Sequence, residues 1–169
     1  MDHPQQRFTE LYDRHYRNVL GYALLRAERQ AAEDVVSETF LITWRRLREV
    51  PDPVLPWLLG VARNLLRKQQ DSGLRGRALA ARLADLAPAP EGDVADHVTG
   101  RATALAALAE LGDNDVEALV LVSWYGLTPA EAARVAGCTV KTFNVRLHRA
   151  RRRLSEALDR DAFTLEEQR

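Results

Sequence analysis

The fold is decided by residues 128–158, which read TPAEAARVAGCTVKTFNVRLHRARRRLSEAL. Thr128 is suited to cap the first free amides of a helix, and Pro129 is suited to its first position. Glu131 completes a capping box with Thr128. These signals predict a short helix that ends near Ala136.

A turn and a long cationic helix are predicted to follow. Gly137 supplies the backbone freedom that a sharp turn needs, and Thr139 is placed to cap the next helix. In that helix, apolar residues recur at helical spacing and form an inward stripe of Phe143, Leu147, Ala150 and Leu154. A rotation of about 100° per residue points the other side outward or to the flank: Lys141, Asn144, Val145, His148, Arg149 and Arg152.

Charge along this helix favours a DNA-binding role. Between Thr139 and Arg153 the sequence has six cations and no carboxylate. Two capped helices joined by a glycine turn, the second of them cationic, are typical of a helix-turn-helix that enters a groove lined by phosphates. The alternative is a solvated basic helix whose charges serve solubility.

The composition of the whole chain indicates that it does not hold DNA alone. The formal net charge is +0 and the sequence pI is about 6.9, whereas an autonomous DNA-binding domain is typically far more basic. Neutralising about four to six phosphates gives a log-log salt slope of only about −4 to −5. We therefore expect a scaffold that supplies further contacts.

Other features limit the classes of protein that fit. The chain has no apolar run of about 18 residues and no signal-peptide pattern at its start, so we expect a cytoplasmic protein without membrane insertion. Cys138 is the single cysteine, which excludes an internal disulfide, and we expect it to pack in the turn.

Hydrophobic periodicity predicts helices along most of the chain. Three helices at about 7–27, 30–48 and 54–70 are predicted to form a bundle, with Pro51 and Pro53 ending the second. Trp44 falls on the apolar stripe of the second helix and Trp57 at the margin of the third, so we expect both to pack in the core. Arg63, Asn64, Arg67 and Lys68 fall off the stripe of the third helix.

The predicted fold class is all-α, with two small helical domains joined by a flexible linker. Residues 1–70 form an N-terminal bundle of three to four helices. Residues 71–96 are rich in glycine, proline and alanine and form the linker. Helices at about 97–111 and 114–125 precede the helix-turn-helix, which gives a C-terminal four-helix domain at 97–160, and the tail 161–169 is expected to fray.

Three segments resemble the bacterial extracytoplasmic-function (group 4) sigma factors of the sigma-70 family. AEDVVSETFLITWR at 32–45 resembles the family's second conserved region, and WLLGVARN at 57–64 resembles the segment that follows it. Residues 132–153 resemble its fourth region. The segments span nearly the whole chain and stand in the family's order.

The resemblance implies a dissociable subunit of core RNA polymerase that directs initiation at a promoter. The N-terminal domain would bind the polymerase clamp through four residues: Asp34, Ser37, Glu38 and Leu41. The loop at about 49–53 would hold a base flipped out of the minus-10 element, and the next helix would contact the strand through Arg63, Asn64, Arg67 and Lys68.

The C-terminal domain would contact the polymerase flap and read the minus-35 element. The positions implied are Lys141, Thr142, Asn144, Val145, Arg146, His148 and Arg149. Asn144 and Val145 stand where the family often has a basic and a small hydroxyl residue, so the family's promoter preference does not transfer. Ser37 replaces a frequent Gln, so the family's affinity for the clamp does not transfer either. An anti-sigma protein is a further partner that the resemblance suggests; it implies no catalytic residue, cofactor or metal.

The length of the linker agrees with a role for polymerase. A flexible chain of 26 residues has a root-mean-square span of about 28 Å, whereas the family's two elements, about 17 base pairs apart, lie nearly 60 Å apart. The fully extended linker, about 90 Å long, can span this distance. Because a flexible chain would rarely do so, we expect the polymerase to fix the separation of the two domains.

The sequence leaves two other interpretations. One is a stand-alone helix-turn-helix regulator that binds a palindromic operator as a dimer. The other is a metal enzyme built on His15, Glu33 and Asp34. The latter is disfavoured because His15 falls on an apolar face, the two acids point outward, and the sequence has no zinc-like ligand spacing.

Overall fold

The computed structural model describes residues 3–70 and 94–167. Within these ranges the chain forms seven α-helices, one π-helical segment and no strand, which confirms the all-α class. The elements are α1 Pro4–Leu24, α2 Arg29–Arg45, α3 Val54–Gln70, α4 Val94–Ala109, α5 Asp113–Leu119, the π-helical segment Val120–Trp124, α6 Pro129–Ala136 and α7 Val140–Glu167. The predicted linker lies outside the described residues as far as residue 93.

The first compact unit contains residues 3–70 together with Leu127–Val140. In it, α1 packs against α2 and α3, α2 packs against α3, and α6 packs against α3. Two threonines lie fully buried in this core, and each satisfies its hydroxyl locally: Thr39 Oγ1 donates to Val35 O at 2.7 Å and Thr43 Oγ1 donates to Thr39 O at 2.8 Å. The largest hydrophobic side chains that are fully buried with them are Val19, Tyr22, Val35, Val36, Leu58, Leu59 and Leu66.

The second compact unit contains residues 94–126 and 141–167. Its buried apolar residues come from α4, α5, the π-helical segment and the apolar stripe of α7: Ala107, Val116, Leu121, Phe143, Leu147, Ala150 and Ala157. Arg153 on α7 pairs with Asp115 on α5 at 2.5 Å, and Arg160 pairs with Glu110 at 2.5 Å. These ion pairs connect the outer side of α7 with the segments before it. The domain boundaries expected from the sequence, 1–70, 71–96 and 97–160, stay a prediction.

Two expected helix ends differ from the structure. Helix α2 ends at Arg45 rather than near residue 48, and turns continue to Glu49, where Arg46 donates to Glu49 Oε2 at 2.6 Å. The expectation that the tail 161–169 frays is wrong as far as Glu167, where α7 ends. Ahead of this tail, α7 makes tertiary contacts through the buried Ala157 and through Arg160, which pairs with Glu110.

Candidate nucleic-acid interface

Helix α6 begins with the capping box that the sequence predicted. Glu131 N donates to Thr128 Oγ1 at 3.2 Å, and Thr128 N donates to Glu131 Oε2 at 2.9 Å. Pro129 occupies the first turn, where the missing amide hydrogen costs nothing. Two donors that would otherwise lack partners are thus satisfied, and the start of the helix is fixed.

The end of α6 is a left-handed glycine turn. Gly137 has φ +68°, Gly137 N donates to Arg134 O at 3.3 Å, and Cys138 N donates to Ala133 O at 3.1 Å. This pair of bonds is the Schellman arrangement, in which a glycine reverses the chain while the last carbonyls keep partners. Cys138 is half-buried in the turn, as expected for a residue that packs there.

The exposed side of α7 brings together five of the seven residues predicted to read minus-35 DNA. They line one open groove of about 300 Å³: Lys141, Thr142, Val145, Arg146 and Arg149. Asn144 and His148 are also exposed but do not line the groove. The groove offers three cations beside a hydroxyl and a methyl-bearing surface, which suits phosphate contacts and base-edge contacts together.

Not every cation of α7 belongs to this surface. Arg153 Nη1 lies 2.5 Å from Asp115 Oδ2, and Arg152 Nε lies 3.8 Å from Glu156 Oε1 on the next turn. The six cations counted in the sequence therefore divide by role, because at least these two interact with carboxylates of the chain itself.

The residues predicted to contact the minus-10 strand differ in their exposure to solvent. Asn64, Arg67 and Lys68 are exposed on α3. Arg63 is only 9% exposed, so its placement off the buried stripe was wrong. The physical reason is tertiary: α6 packs on α3, and the Arg63 Nη1 atom lies 4.0 Å from the point where a Cβ on Gly137 would stand.

A cavity of about 320 Å³ adjoins the loop predicted to hold the flipped base. A cavity of about 150 Å³ accommodates benzene, so this volume is sufficient for a base. The sequence did not indicate that α6 would contribute Glu131 and Arg134 to the lining, because the packing of α6 on α3 leaves no local signal. The remaining lining residues are Arg46, Pro51, Asp52, Pro53, Pro56, Trp57, Gly60, Val61 and Asn64.

The four residues predicted to bind the polymerase clamp all lie exposed on α2: Asp34, Ser37, Glu38 and Leu41. Trp44, expected in the core, is 42% exposed, so that prediction was wrong. Its ring makes a T-shaped contact with Phe8 at 5.2 Å between centroids. The apolar stripe of α2 is therefore wider than the surface that α1 and α3 cover. Trp57 is half-buried and lines the loop cavity.

The residues considered for a metal site do not form one. No group of three or more potential ligands occurs within residues 3–70 and 94–167. Burial, and secondly the neighbouring Arg14, lowers the pKa of His15 from its usual value of 6.5. Glu33 is engaged by Arg29 at 3.0 Å on the surface of α2.

Comparisons with known proteins agree with this geometry. Residues 11–72 match the family model "Sigma-70 region 2", and residues 101–154 match "Sigma-70, region 4". The RNA polymerase sigma factor CnrH of Cupriavidus metallidurans is 32% identical, over 94% of this chain and 90% of its own length. The ECF RNA polymerase sigma factor BldN of Streptomyces coelicolor is 31% identical, over 92% of this chain and 61% of its own length.

The chain belongs to the extracytoplasmic-function sigma factors of the sigma-70 family. As a sigma factor it directs promoter-specific initiation by RNA polymerase, rather than acting as a stand-alone regulator. The structure of the sigma factor RpoE from Bartonella quintana, solved in complex with the anti-sigma factor NepR, matches it with a TM-score of 0.65 and 25% identity, over 90% of this chain and 96% of that one. Among the described residues of this sigma factor, no helix is both long and apolar enough to cross a membrane.

Proposed function

We propose that the two regions of this sigma factor divide promoter recognition between them. The exposed groove of α7 reads the minus-35 element, and the exposed part of α3 with the loop at about 49–53 takes the minus-10 strand. Residues 1–70 and 97–160 act as the two functional domains, joined by the linker 71–96.

The observation that carries the minus-35 assignment is the shared groove on α7. Arg146 and Arg149 present guanidinium groups beside Lys141 and Thr142, and Val145 supplies an apolar edge. Arginine can bridge two acceptors of guanine, and a methyl group can contact thymine. We include Asn144 and His148 as flanking contacts, since both are exposed on the same helix.

The minus-10 assignment is supported by three exposed polar residues of α3. Asn64 lies next to the loop at about 49–53, while Arg67 and Lys68 follow on the exposed side of the helix. A base that leaves the duplex loses stacking worth a few kcal/mol, so a loop that holds the base beside a cationic strand path lowers the free energy of opening.

The polymerase assignment is supported by the exposed face of α2, where Asp34, Ser37, Glu38 and Leu41 bind the clamp. The second domain binds the flap. The chain acts in the cytoplasm and supplies no catalytic group of its own, because the polymerase performs the chemistry. The solved relative in complex with an anti-sigma factor supports regulation by such a protein here too.

The minus-35 assignment is tested by Arg146→Ala in transcription with core polymerase. The loss of one bidentate base contact costs about 1–3 kcal/mol, so we expect initiation at a minus-35-dependent promoter to fall roughly 5- to 150-fold, with core binding unchanged. Arg151→Ala is the matched control, because Arg151 is exposed on α7 but does not line the groove. Equal losses in promoter activity and core binding, or equal effects of the two variants, would contradict the proposal.

A further inference from the structure

The cavity of about 320 Å³ beside the loop at 49–53 has no role in the proposed function. We call it the loop cavity, and all of its lining residues belong to the first compact unit. Its volume lies at the lower end of the range of about 300–1,000 Å³ that small-molecule sites occupy. Asp52, Asn64 and Arg134 line it and are exposed to solvent, so solutes can enter.

Part of the lining is apolar and stiff. Trp57 presents a half-buried indole, and nothing lies within 4 Å of the point where a Cβ on Gly60 would stand. The backbone of a proline is restricted by its ring, so little freedom is lost when a ligand packs on it. An aromatic or bulky aliphatic group would therefore fit this part of the cavity. The other apolar lining residues are Pro51, Pro53, Pro56 and Val61.

The charged groups of the lining are two cations and two anions, and one of each sign is already engaged. Arg46 donates to Glu49, and Glu131 is held by the capping box of α6. Asp52 and Arg134 remain. Within residues 3–70 and 94–167, neither forms an ion pair with the other or with another side chain, so the two charges lie more than 4.0 Å apart.

We propose that the loop cavity binds a free α-amino acid with an aromatic or large aliphatic side chain. Arg134 binds the carboxylate of the ligand, and Asp52 binds its ammonium group. The side chain of the ligand packs on Trp57. Each of the two charges thereby gains a charge-assisted hydrogen bond to a group of opposite sign.

The balance of charge selects this class of ligand over others. A nucleotide carries a phosphate that Arg134 would attract while Asp52 repelled it. A purely apolar molecule would pack on Trp57 but would take water from the two charges and return nothing. A zwitterion matches both signs, and its apolar side chain matches the rest of the lining.

Occupancy of the loop cavity is coupled to the contact of α6 with α3, because both helices line it. A ligand that binds only while the two helices are packed stabilises that contact by mass action. The same contact encloses Arg63. In the proposed function α6 and α3 serve different promoter elements, so the amino acid should reduce initiation; this effect rests on the proposed function, whereas binding does not.

The binding test titrates the full chain with L-phenylalanine. The chain has three tryptophans, so Trp44→Phe with Trp124→Phe leaves Trp57 as the sole reporter. Its emission should change and saturate with a Kd on the order of 1 mM or tighter. Loss of either charge of the ligand, in 2-phenylethylamine or 3-phenylpropionate, should weaken binding at least about tenfold. No saturable change, or tighter binding of adenosine monophosphate than of L-phenylalanine, would overturn the proposal.

Variants of the lining locate the site. Arg134→Gln and Asp52→Asn should each raise the Kd for L-phenylalanine at least about tenfold, and Gly60→Leu should prevent binding by filling the cavity. Asp13→Asn is the matched control, since Asp13 is exposed on α1 and does not line the cavity. Thermal unfolding shows that each variant is folded. Equal Kd values for all four variants would place the ligand elsewhere and overturn the assignment.

The effect on initiation is measured with L-phenylalanine added before core polymerase. Transcription directed by the wild-type chain should fall as the amino acid saturates, while the Arg134→Gln chain should not respond. Equal responses of the two chains, or none in the wild type, would overturn the coupling. Failure of the proposed function is recognised separately, because it would appear as a lack of promoter-specific initiation when no amino acid is present.

Discussion

Arg153 belongs to the cationic run of α7, yet its guanidinium is bound by the protein itself. Its partner Asp115 is only 5% exposed, whereas about half of the Arg153 side chain is accessible to solvent. A buried carboxylate without a partner is costly, because it loses its hydration and gains nothing in return. The pair therefore stabilises the contact of α7 with α5 and withdraws one cation from the surface offered to DNA.

The two halves of this ion pair are predicted to differ in importance. Arg153→Ala leaves the buried Asp115 carboxylate unpaired and should lower the free energy of unfolding by up to about 3 kcal/mol, while Asp115→Ala leaves a guanidinium that water can solvate and should cost about 1 kcal/mol. Urea unfolding measures both, with Arg151→Ala as the control at an exposed neighbouring cation. If Arg153→Ala impaired minus-35-dependent transcription without loss of stability, Arg153 would be a DNA contact instead.

At the scale of the element, the helix-turn-helix shows which structural features local sequence signals can predict. Thr128 and Glu131 form the predicted capping box, and α6 ends at Ala136 as the glycine indicated. These features could be read in advance because each depends on residues a few positions apart. The hydrogen bond by which Thr139 was expected to cap α7 stays a prediction.

Gly137 tests the contribution of the turn. A non-glycine residue in the left-handed region costs about 1–2 kcal/mol, so Gly137→Ala should lower the free energy of unfolding by about that amount. The added Cβ would lie 4.0 Å from its nearest neighbour, which is ordinary contact, so the loss reflects backbone strain rather than a clash.

The matched substitution for Gly137→Ala is Gly100→Ala. Gly100 lies inside α4 with nothing within 4 Å of an added Cβ, and alanine in a helix interior is favoured over glycine by about 0.5–1 kcal/mol. Its unfolding midpoint in urea should rise while that of Gly137→Ala falls. Changes of the same sign in both variants would contradict this account of the turn.

The features that the sequence did not predict depend on tertiary contacts between helices. The helical periodicity of α2 and α3 predicted the helices of the bundle, but it placed Trp44 inside the core and Arg63 outside it. Both errors arise because helical periodicity shows which side of a helix is apolar but does not show how much of that side a neighbouring helix covers. The neighbours that decide these two cases, α1 and α6, are distant in the sequence.

At the scale of the whole molecule, the balance of charge limits the affinity of the free chain for DNA, even though one surface of α7 is cationic. The formal net charge is +0, and at least three of the cations of α7 interact with acids of the chain. We expect a sigma factor of this composition to gain specificity from its proposed groove while the polymerase supplies most of the contacts to phosphates. Free chain that bound many DNA sites tightly would be withdrawn from polymerase.

The salt dependence of DNA binding by the free chain tests this division. With about four to six phosphates neutralised, log K should fall against log salt concentration with a slope of about −4 to −5. Lys141→Ala should make the slope shallower by about 1 and leave sequence preference unchanged. The measurement is fluorescence anisotropy on promoter and non-promoter duplexes. Nanomolar binding at physiological salt by a tight dimer would point to a stand-alone regulator and contradict the expectation.

The surroundings of Arg63 have a consequence for promoter opening. A nucleic acid that approaches α3 meets Asn64, Arg67 and Lys68 directly, whereas the guanidinium of Arg63 is enclosed by protein near Gly137. For Arg63 to contact DNA, its guanidinium must leave its protein neighbours and bind groups of the DNA instead. Its contribution to holding the separated strand would then equal the difference in free energy between its DNA-bound and its enclosed environment, so any added stabilisation of the enclosed environment would reduce that contribution by the same amount.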